Sequence, residues 1–431
     1  MTAGAPALWP ALMSTEDSAR EDLRLVGAQG HRVRFADGRD ALCGTSGLWN
    51  VNLGYGNEAV ADASARALRD ASYLSVFRYT NTYAAEAADV LLDLVGRDRF
   101  ARVFFSTSGG AANDAVLKLV RQTQVLRGQP ERRLVVALRG SYHGLTYGGF
   151  SLTGENLGQR LYGVDPRLVR HVTPEDTQEI TDLLAALGGQ VAAVVVEPML
   201  GSGSVPLSTD YLETLLELRE RHGFLLVADE VATGFGRTGP MFASSAWSAG
   251  PDVLITSKGL TNGAATAAAV AAAPSITRAF EASGQIFVHA ETQAGTPVSC
   301  AAIIAVAQEF ERLDALANGS RVSHALDAGL VGLQARLPVA TSTVGAGAFR
   351  TLHLHEAGGL VGPATVAALI SAIRHEGAVV HPGPGGVQLV PALTYSTAEV
   401  SELLGCVRRG IETLLDRGIL TGASPVEGLA S

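Results

Sequence analysis

Runs that are apolar at every position recur along the chain, separated by stretches with helical periodicity. The runs RVFFST (102–107), RLVVAL (133–138), VAAVVVE (191–197), FLLVAD (224–229) and VLIT (253–256) are rich in β-branched residues. Continuous rather than alternating hydrophobicity predicts strands covered on both faces, as in a parallel sheet flanked by helices. Between them, 110–126 and 208–221 carry apolar positions at helical spacing, and Ser208, Thr209 and Asp210 supply a helix start for the second. After a helical stretch at 298–317 the pattern changes to a strand (349–355), a helix (363–376), two short strands around 378–381 and 387–390, and a last helix at 397–415. No internal repeat points to a solenoid or propeller. The expected architecture is α/β, with a large domain at 61–315 and a smaller α+β domain at 316–431. The N-terminal segment, 1–60, contains a strand-like pair (HRVRF and ALCGT) expected to pack against the smaller domain.

Composition narrows the class of function. With 47% hydrophobic and 17% charged residues over 431 positions, the chain has ample material for a core. A net charge of −9 would repel phosphate backbones, so no nucleic-acid partner is expected. Cys43, Cys300 and Cys406 lie far apart without a CxxC pair, which argues against a disulfide framework and fits a reducing cytoplasm. The first twenty residues lack a basic start and apolar run, and the longest apolar stretch, 264–274, falls short of the ~20 residues of a membrane span. His353 and His355 share one face of a predicted strand but lack a third ligand, so no metal is expected. Only two of the 33 basic residues, Lys118 and Lys258, are lysines.

Ligands in an α/β sheet sit beyond the carboxyl ends of the strands. Ser106-Thr107-Ser108-Gly109-Gly110 joins a strand to a helix, either as an anion cradle or as an ordinary Ser-capped turn. Tyr142, in SYHG, either stacks on a planar ligand or fills a loop. Glu197 and Asp229 close wholly apolar strands, where a charge needs a specific partner; helix N-capping is the simpler role for Asp229. Lys258, in SKG, follows the next strand and is either solvated or a nucleophile of lowered pKa.

These residues, in this order, resemble the class III aminotransferases of fold type I, which depend on pyridoxal 5′-phosphate (PLP). SYHG, VVVEP, DEVATGFGRTG and TSKGL stand in family order, and Asp229 and Lys258 lie 29 positions apart, each after a strand. The resemblance covers nearly the whole chain and implies a mostly parallel, seven-stranded sheet in the large domain. It implies that Lys258 forms a Schiff base with the cofactor aldehyde and shuttles the substrate proton, while Asp229 keeps the pyridinium nitrogen protonated. Tyr142 and Val231 would cover the two ring faces, and His143 and Glu197 would complete the surroundings of the cofactor. Ser108, Gly109 and Gly110 would bind the phosphate, joined by Thr292 from the partner subunit of a homodimer with shared active sites. Lys118 lies within AANDAVLKLVR, a predicted helix, and reads as a solvated surface residue.

The chain departs from the family pattern in its substrate-facing residues. Relatives that handle α-amino or 2-oxo acids carry an arginine in an RLAPPL-like motif; here QLVPAL places Gln388 there. The mobile arginine of the amine-transaminase branch falls in register with His381, and the glutamate of EPIQGEGG-like segments is replaced by Ser202. Losing both partners of a charged gate together avoids an unpaired buried charge, which costs ~3–5 kcal/mol. The implied acceptor is therefore a ketone without an adjacent carboxylate, aminated from a small-molecule donor. The segment GLWNVNLGYGN (47–57) resembles amine transaminases and places Trp49 in the pocket beside Phe77 or Tyr79, with core packing as the alternative. Gly110 stands where the family often has Ser or Thr. SGLWNVNLGYGN and STSGGAAND also resemble the aminotransferases of daptide-type peptide natural-product pathways, which implies a C-terminal ketone on a modified precursor peptide as acceptor. Aminomutase, decarboxylation, elimination and general ω-amino acid transamination use the same cofactor machinery.

Overall fold

The computed structural model describes residues 7–356 and 358–421. Its centre is a seven-stranded sheet in the order Arg102–Ser106, Ala268–Ala272, Val253–Thr256, Leu225–Asp229, Val191–Val196, Leu134–Leu138, Val169–Val172. Five of these strands pair in parallel, and every residue of the three central ones is buried. That burial on both faces is the cause of their unbroken apolar runs. Ala268–Ala272 runs antiparallel to both its neighbours and makes the sheet mixed. Read from composition it is only an alanine-rich apolar stretch, because alanine has low strand propensity and the pairing is decided by tertiary contact.

Helices cover the sheet. Gly109–Leu126 starts at Ser108, whose hydroxyl accepts the N–H of Ala111, and Thr209–His222 starts at Ser208, which accepts from Tyr211 and ends at left-handed Gly223. The helical stretch expected at 298–317 is two helices, Pro297–Arg312 and Ala315–Arg336. The break falls at Asp314, whose φ of +48° cannot continue a right-handed helix. Beyond it, Ala340–Ala346, Phe349–Glu356, Gly386–Leu389 and His381–Gly383 form an antiparallel sheet backed by Pro363–His375 and Thr397–Asp416. The N-terminal strand Asp40–Cys43 pairs in parallel with Ala378–Val379, which joins the start of the chain to its C-terminal part. His353 and His355 hydrogen-bond Ser342 and Thr341 on the adjacent strand. No helix among the described residues is long and apolar enough to cross a membrane.

Arg237, in the GFGRTG segment, is fully buried and ties three parts of the chain together. It donates to the carbonyl of Pro391 at 2.5 Å and to Asn52 Oδ1, while Asn52 Nδ2 donates to the Phe235 carbonyl at 2.7 Å. Among the described residues no carboxylate offsets its charge, and burial pulls its pKa down to about 9. Arg237→Met should therefore cost about 3 kcal/mol or more, the worth of two charge-assisted hydrogen bonds left unmade. A urea midpoint unchanged in the variant would remove Arg237 as a tie between these segments.

Candidate active site

Strand ends bring the predicted residues to one edge of the sheet. Asp229, 2% exposed at the end of its strand, accepts through Oδ2 from His143 Nδ1 at 2.7 Å and from Asn113 Nδ2 at 2.9 Å. Its Oδ1 accepts only the backbone N–H of Val231, at 3.1 Å. Asp229 is thus no helix cap. Burial pushes its pKa up, but the His143 and Asn113 contacts outweigh that and hold the carboxyl below its ordinary value. For His143, burial acts downward and Asp229 acts upward more strongly, so its pKa lies above the ordinary value. Asn113 lies one helical turn beyond Gly109, whose carbonyl it also contacts at 3.1 Å.

Glu197 fixes two loops. Its Oε2 accepts the N–H of Tyr142 at 3.0 Å and its Oε1 that of Gly201 at 3.1 Å. Burial lifts its pKa to about 7. The neighbouring Glu230 is spent on structure, accepting from Ser244, Ala243 and Thr233.

Lys258 follows its strand in a left-handed conformation, φ +43°, which is costly for a residue with a side chain and marks a constrained site. Burial lowers the pKa of its amine, while the charges of Asp229 and Glu197 act in the opposite direction. Its Nζ lies 4.6 Å from the centre of the Trp49 ring. Trp49 ends a left-handed turn in which Ser46, Gly47, Leu48 and Trp49 all have φ between +46° and +69°. Three of the four are not glycine, at ~1–2 kcal/mol each. Ser46 Oγ holds the turn by donating to the Val390 carbonyl at 2.6 Å, and Asn50 Nδ2 donates to the carbonyls of Gly47 and Leu48. Trp49 packs on Phe349 and edge-on against His381, with ring centres 4.8 and 5.5 Å away.

At the start of helix Gly109–Leu126 the first-turn N–H groups have no helical acceptor. A side chain at Gly109 would press on Val231 at 3.0 Å, and one at Gly110 would meet Thr146 Oγ1 at 3.3 Å. Gly144, at φ +105°, lies so close that a Cβ there would strike Gly110 Cα at 2.5 Å. The glycine at 110 is thus matched to this close backbone approach.

The row expected to face the substrate is neutral. Thr351, Gln388 and His381 stand in register on adjacent strands and share one face. Gln388 Nε2 donates to the Gly201 carbonyl at 2.8 Å and to Ser204 Oγ at 3.0 Å, and Thr351 Oγ1 contacts Gly203 O and Ser204 Oγ. The polar partner of Gln388 is therefore Ser204, two positions beyond Ser202. Burial first, and the Lys258 charge second, lower the pKa of His381 and keep it uncharged near neutrality. Phe77 and Tyr79 lie on a surface loop, 47% and 73% exposed, and Trp49 finds its aromatic neighbours elsewhere. Thr292 also lies on a loop, where its carbonyl accepts from Tyr73 Oη at 3.0 Å. Lys118 is exposed as expected, yet contacts His289 Nδ1 at 3.1 Å.

A family model described as Aminotransferase class-III matches residues 15–411. The acetylornithine aminotransferase of Xylella fastidiosa is 34% identical over 399 residues, covering 91% of this chain and 93% of that protein. The omega-aminotransferase of Caulobacter vibrioides is 30% identical over 338 residues, covering 73% and 76%. A crystal structure of an amine transaminase from an uncultivated Pseudomonas species, in its PLP-bound form, has a TM-score of 0.90 at 29% identity and covers 95% of this chain and 99% of that one.

Glu197 makes stability depend on pH. Its carboxyl sits at about 7 in the folded chain against 4.5 ordinarily, so the folded state holds a proton that the unfolded state releases. That contribution is complete below the ordinary value and is lost as pH climbs through about 7, up to roughly 3 kcal/mol. Glu197→Gln should flatten the change in urea midpoint between those limits; equal slopes in both proteins would show that Glu197 does not titrate there.

Proposed function

The chain belongs to the class-III aminotransferase family, and from that premise we propose a division of labour among its residues and a class of substrate. It is a PLP-dependent aminotransferase. The residues present fit that cofactor. Asp229 is a buried carboxylate whose Oδ1 has only a backbone N–H, which suits the protonated nitrogen of a pyridine ring. The Gly109–Leu126 helix start suits a phosphate. Ser108, Gly109 and Gly110 would hold that phosphate, Asp229 the ring nitrogen, and Tyr142 and Val231 the two faces.

When bound, the cofactor supplies an aldehyde that takes up and gives back amino groups and a ring that draws electron density from the substrate carbon. Lys258 Nζ would hold the aldehyde and move the proton from that carbon, a task eased by its lowered pKa. Asp229 would keep the ring nitrogen protonated through a charge-assisted hydrogen bond worth roughly 1.5–3 kcal/mol. His143 and Asn113, both on Oδ2, leave Oδ1 for that contact.

The observation that carries the substrate class is the neutral row at Gln388. A substrate carboxylate would call for a cation, and the buried arginines nearby are committed: Arg350 to Asp327, Arg237 to Pro391 and Asn52. The acceptor is a ketone with no carboxylate beside the reacting carbon, aminated from a small-molecule donor. The finer reading is a C-terminal ketone on a modified peptide. Gln388 Nε2 is tied to Gly201 and Ser204, so its amide oxygen is the end left to accept an N–H, which the last amide of such a peptide carries. The chain would act as a homodimer in the cytoplasm. Exposed Tyr73, Leu74, Phe77, Tyr79, Ile286 and Val288 form apolar surface of the kind a second subunit covers, and the three cysteines are buried and unpaired.

With a fixed donor, matched methyl ketones and 2-oxo acids of equal side chain separate the possibilities. The ketone should lead in kcat/KM by about tenfold or more, a difference of ~1.4 kcal/mol. The pair of changes Gln388→Arg with Ser202→Glu should narrow or invert that ratio. Preference for the oxo acid in the unaltered enzyme would overturn the substrate class, and release of CO₂ or ammonia without amino transfer would overturn the reaction.

A further inference from the structure

The loop between Pro274–Ser283 and Pro297–Arg312 returns across Arg102–Ser106, the edge strand of the large sheet. Phe287 and His289 pack on Phe104, with ring centres 5.4 and 5.6 Å away, and the His289 ring stacks on Phe287. Lys118 Nζ lies 3.1 Å from His289 Nδ1. An ammonium only donates, so Nδ1 accepts and the ring proton sits on Nε2. Nε2, buried without a hydrogen-bond partner, is 3.6 Å from Glu291 Oε1.

Glu291 in turn grips the end of the strand. Its Oε1 accepts from Ser106 Oγ at 2.5 Å, and its Oε2 accepts the N–H of Thr107 at 3.0 Å and the hydroxyl of Thr107. Partial burial pushes this carboxyl upward, yet the Ser106 and Thr107 contacts prevail and keep it below the ordinary value, hence ionised. Those two residues immediately precede Ser108-Gly109-Gly110, whose N–H groups open the helix. An anion held this close to an anion cup opposes phosphate by charge while fixing the direction of the cup's N–H groups.

We propose that Glu291 is a positioning residue for the phosphate cup: it locks the Ser106–Thr107 turn. The geometric contribution of Glu291 outweighs its repulsion. The inference rests on the reading of Ser108-Gly109-Gly110 as the cofactor-phosphate site.

The test follows PLP loss from holoenzyme during dialysis, with the ³¹P resonance of bound PLP as a second readout. Glu291→Ala should speed loss about tenfold or more and move the resonance. Glu291→Gln, which keeps an acceptor for the Thr107 N–H, should recover most of the retention. A lower melting temperature without a shifted resonance would mean a merely structural role and overturn the proposal. So would slower loss in Glu291→Gln than in the unaltered protein, because repulsion would then dominate. Ser108→Ala separates this from failure of the cup: if it speeds loss while Glu291→Ala does not, only the present inference falls, and if neither does, the cup is misplaced.

Discussion

A carboxylate at the end of a wholly buried strand has to be paired, and much of this site is the consequence of how Asp229 is paired. His143 and Asn113 converge on one of its oxygens, from the loop after Leu134–Leu138 and from the first turns of Gly109–Leu126. Two neighbouring segments are thereby held to a third, with the helix start directed at the same sheet edge. Desolvating an ion is expensive, and excellent hydrogen bonding is what makes it tolerable. The same burial that raises the cost of the Asp229 charge lowers the pKa of Lys258, so one low-dielectric environment supplies both an anchored anion and an amine that sheds its proton readily.

The segment around Gln388 follows a different rule. It is built without charge, from Gln388, Thr351, Ser204 and the backbone of 201–204, and it is self-satisfied on the nitrogen side of Gln388. The peptide at Gly201 connects the two halves, since its N–H is held by Glu197 and its carbonyl by Gln388. Trp49 lies on that peptide, between Lys258 and His381. The left-handed turn that presents Trp49 costs several kcal/mol in local strain, a cost the fold meets through Ser46, Asn50 and the backbone hydrogen bonds around them. Strain retained at the mouth of a site is more readily explained by what it positions than by stability.

The central strands were legible because burial on both faces leaves an unbroken apolar signature, and Asp229 and Lys258 because the first ends such a strand and the second follows one. Ala268–Ala272 was not, since its small residues carry little strand preference and tertiary pairing alone assigns them. Asn113, Arg237 and Ser204 carry no local signal for a related reason: their partners lie more than a hundred positions away, so no local spacing marks them. The helix position of Asn113, one turn after Gly109 and on its face, was the one available signal. The partners of Glu291 sit on the far side of a loop closure, and nothing within the helix that carries Lys118 marks the loop that crosses it.

The central claim is that Lys258 is the amine that holds the cofactor, and a chain with two lysines makes the test unusually clean. Borohydride reduction of the holoenzyme, followed by proteolysis and mass spectrometry, should place the reduced cofactor adduct on the peptide containing Lys258 and leave the Lys118 peptide unmodified. An adduct on Lys118, or a Lys258 peptide recovered without modification from enzyme that was fully loaded and active, would contradict the account.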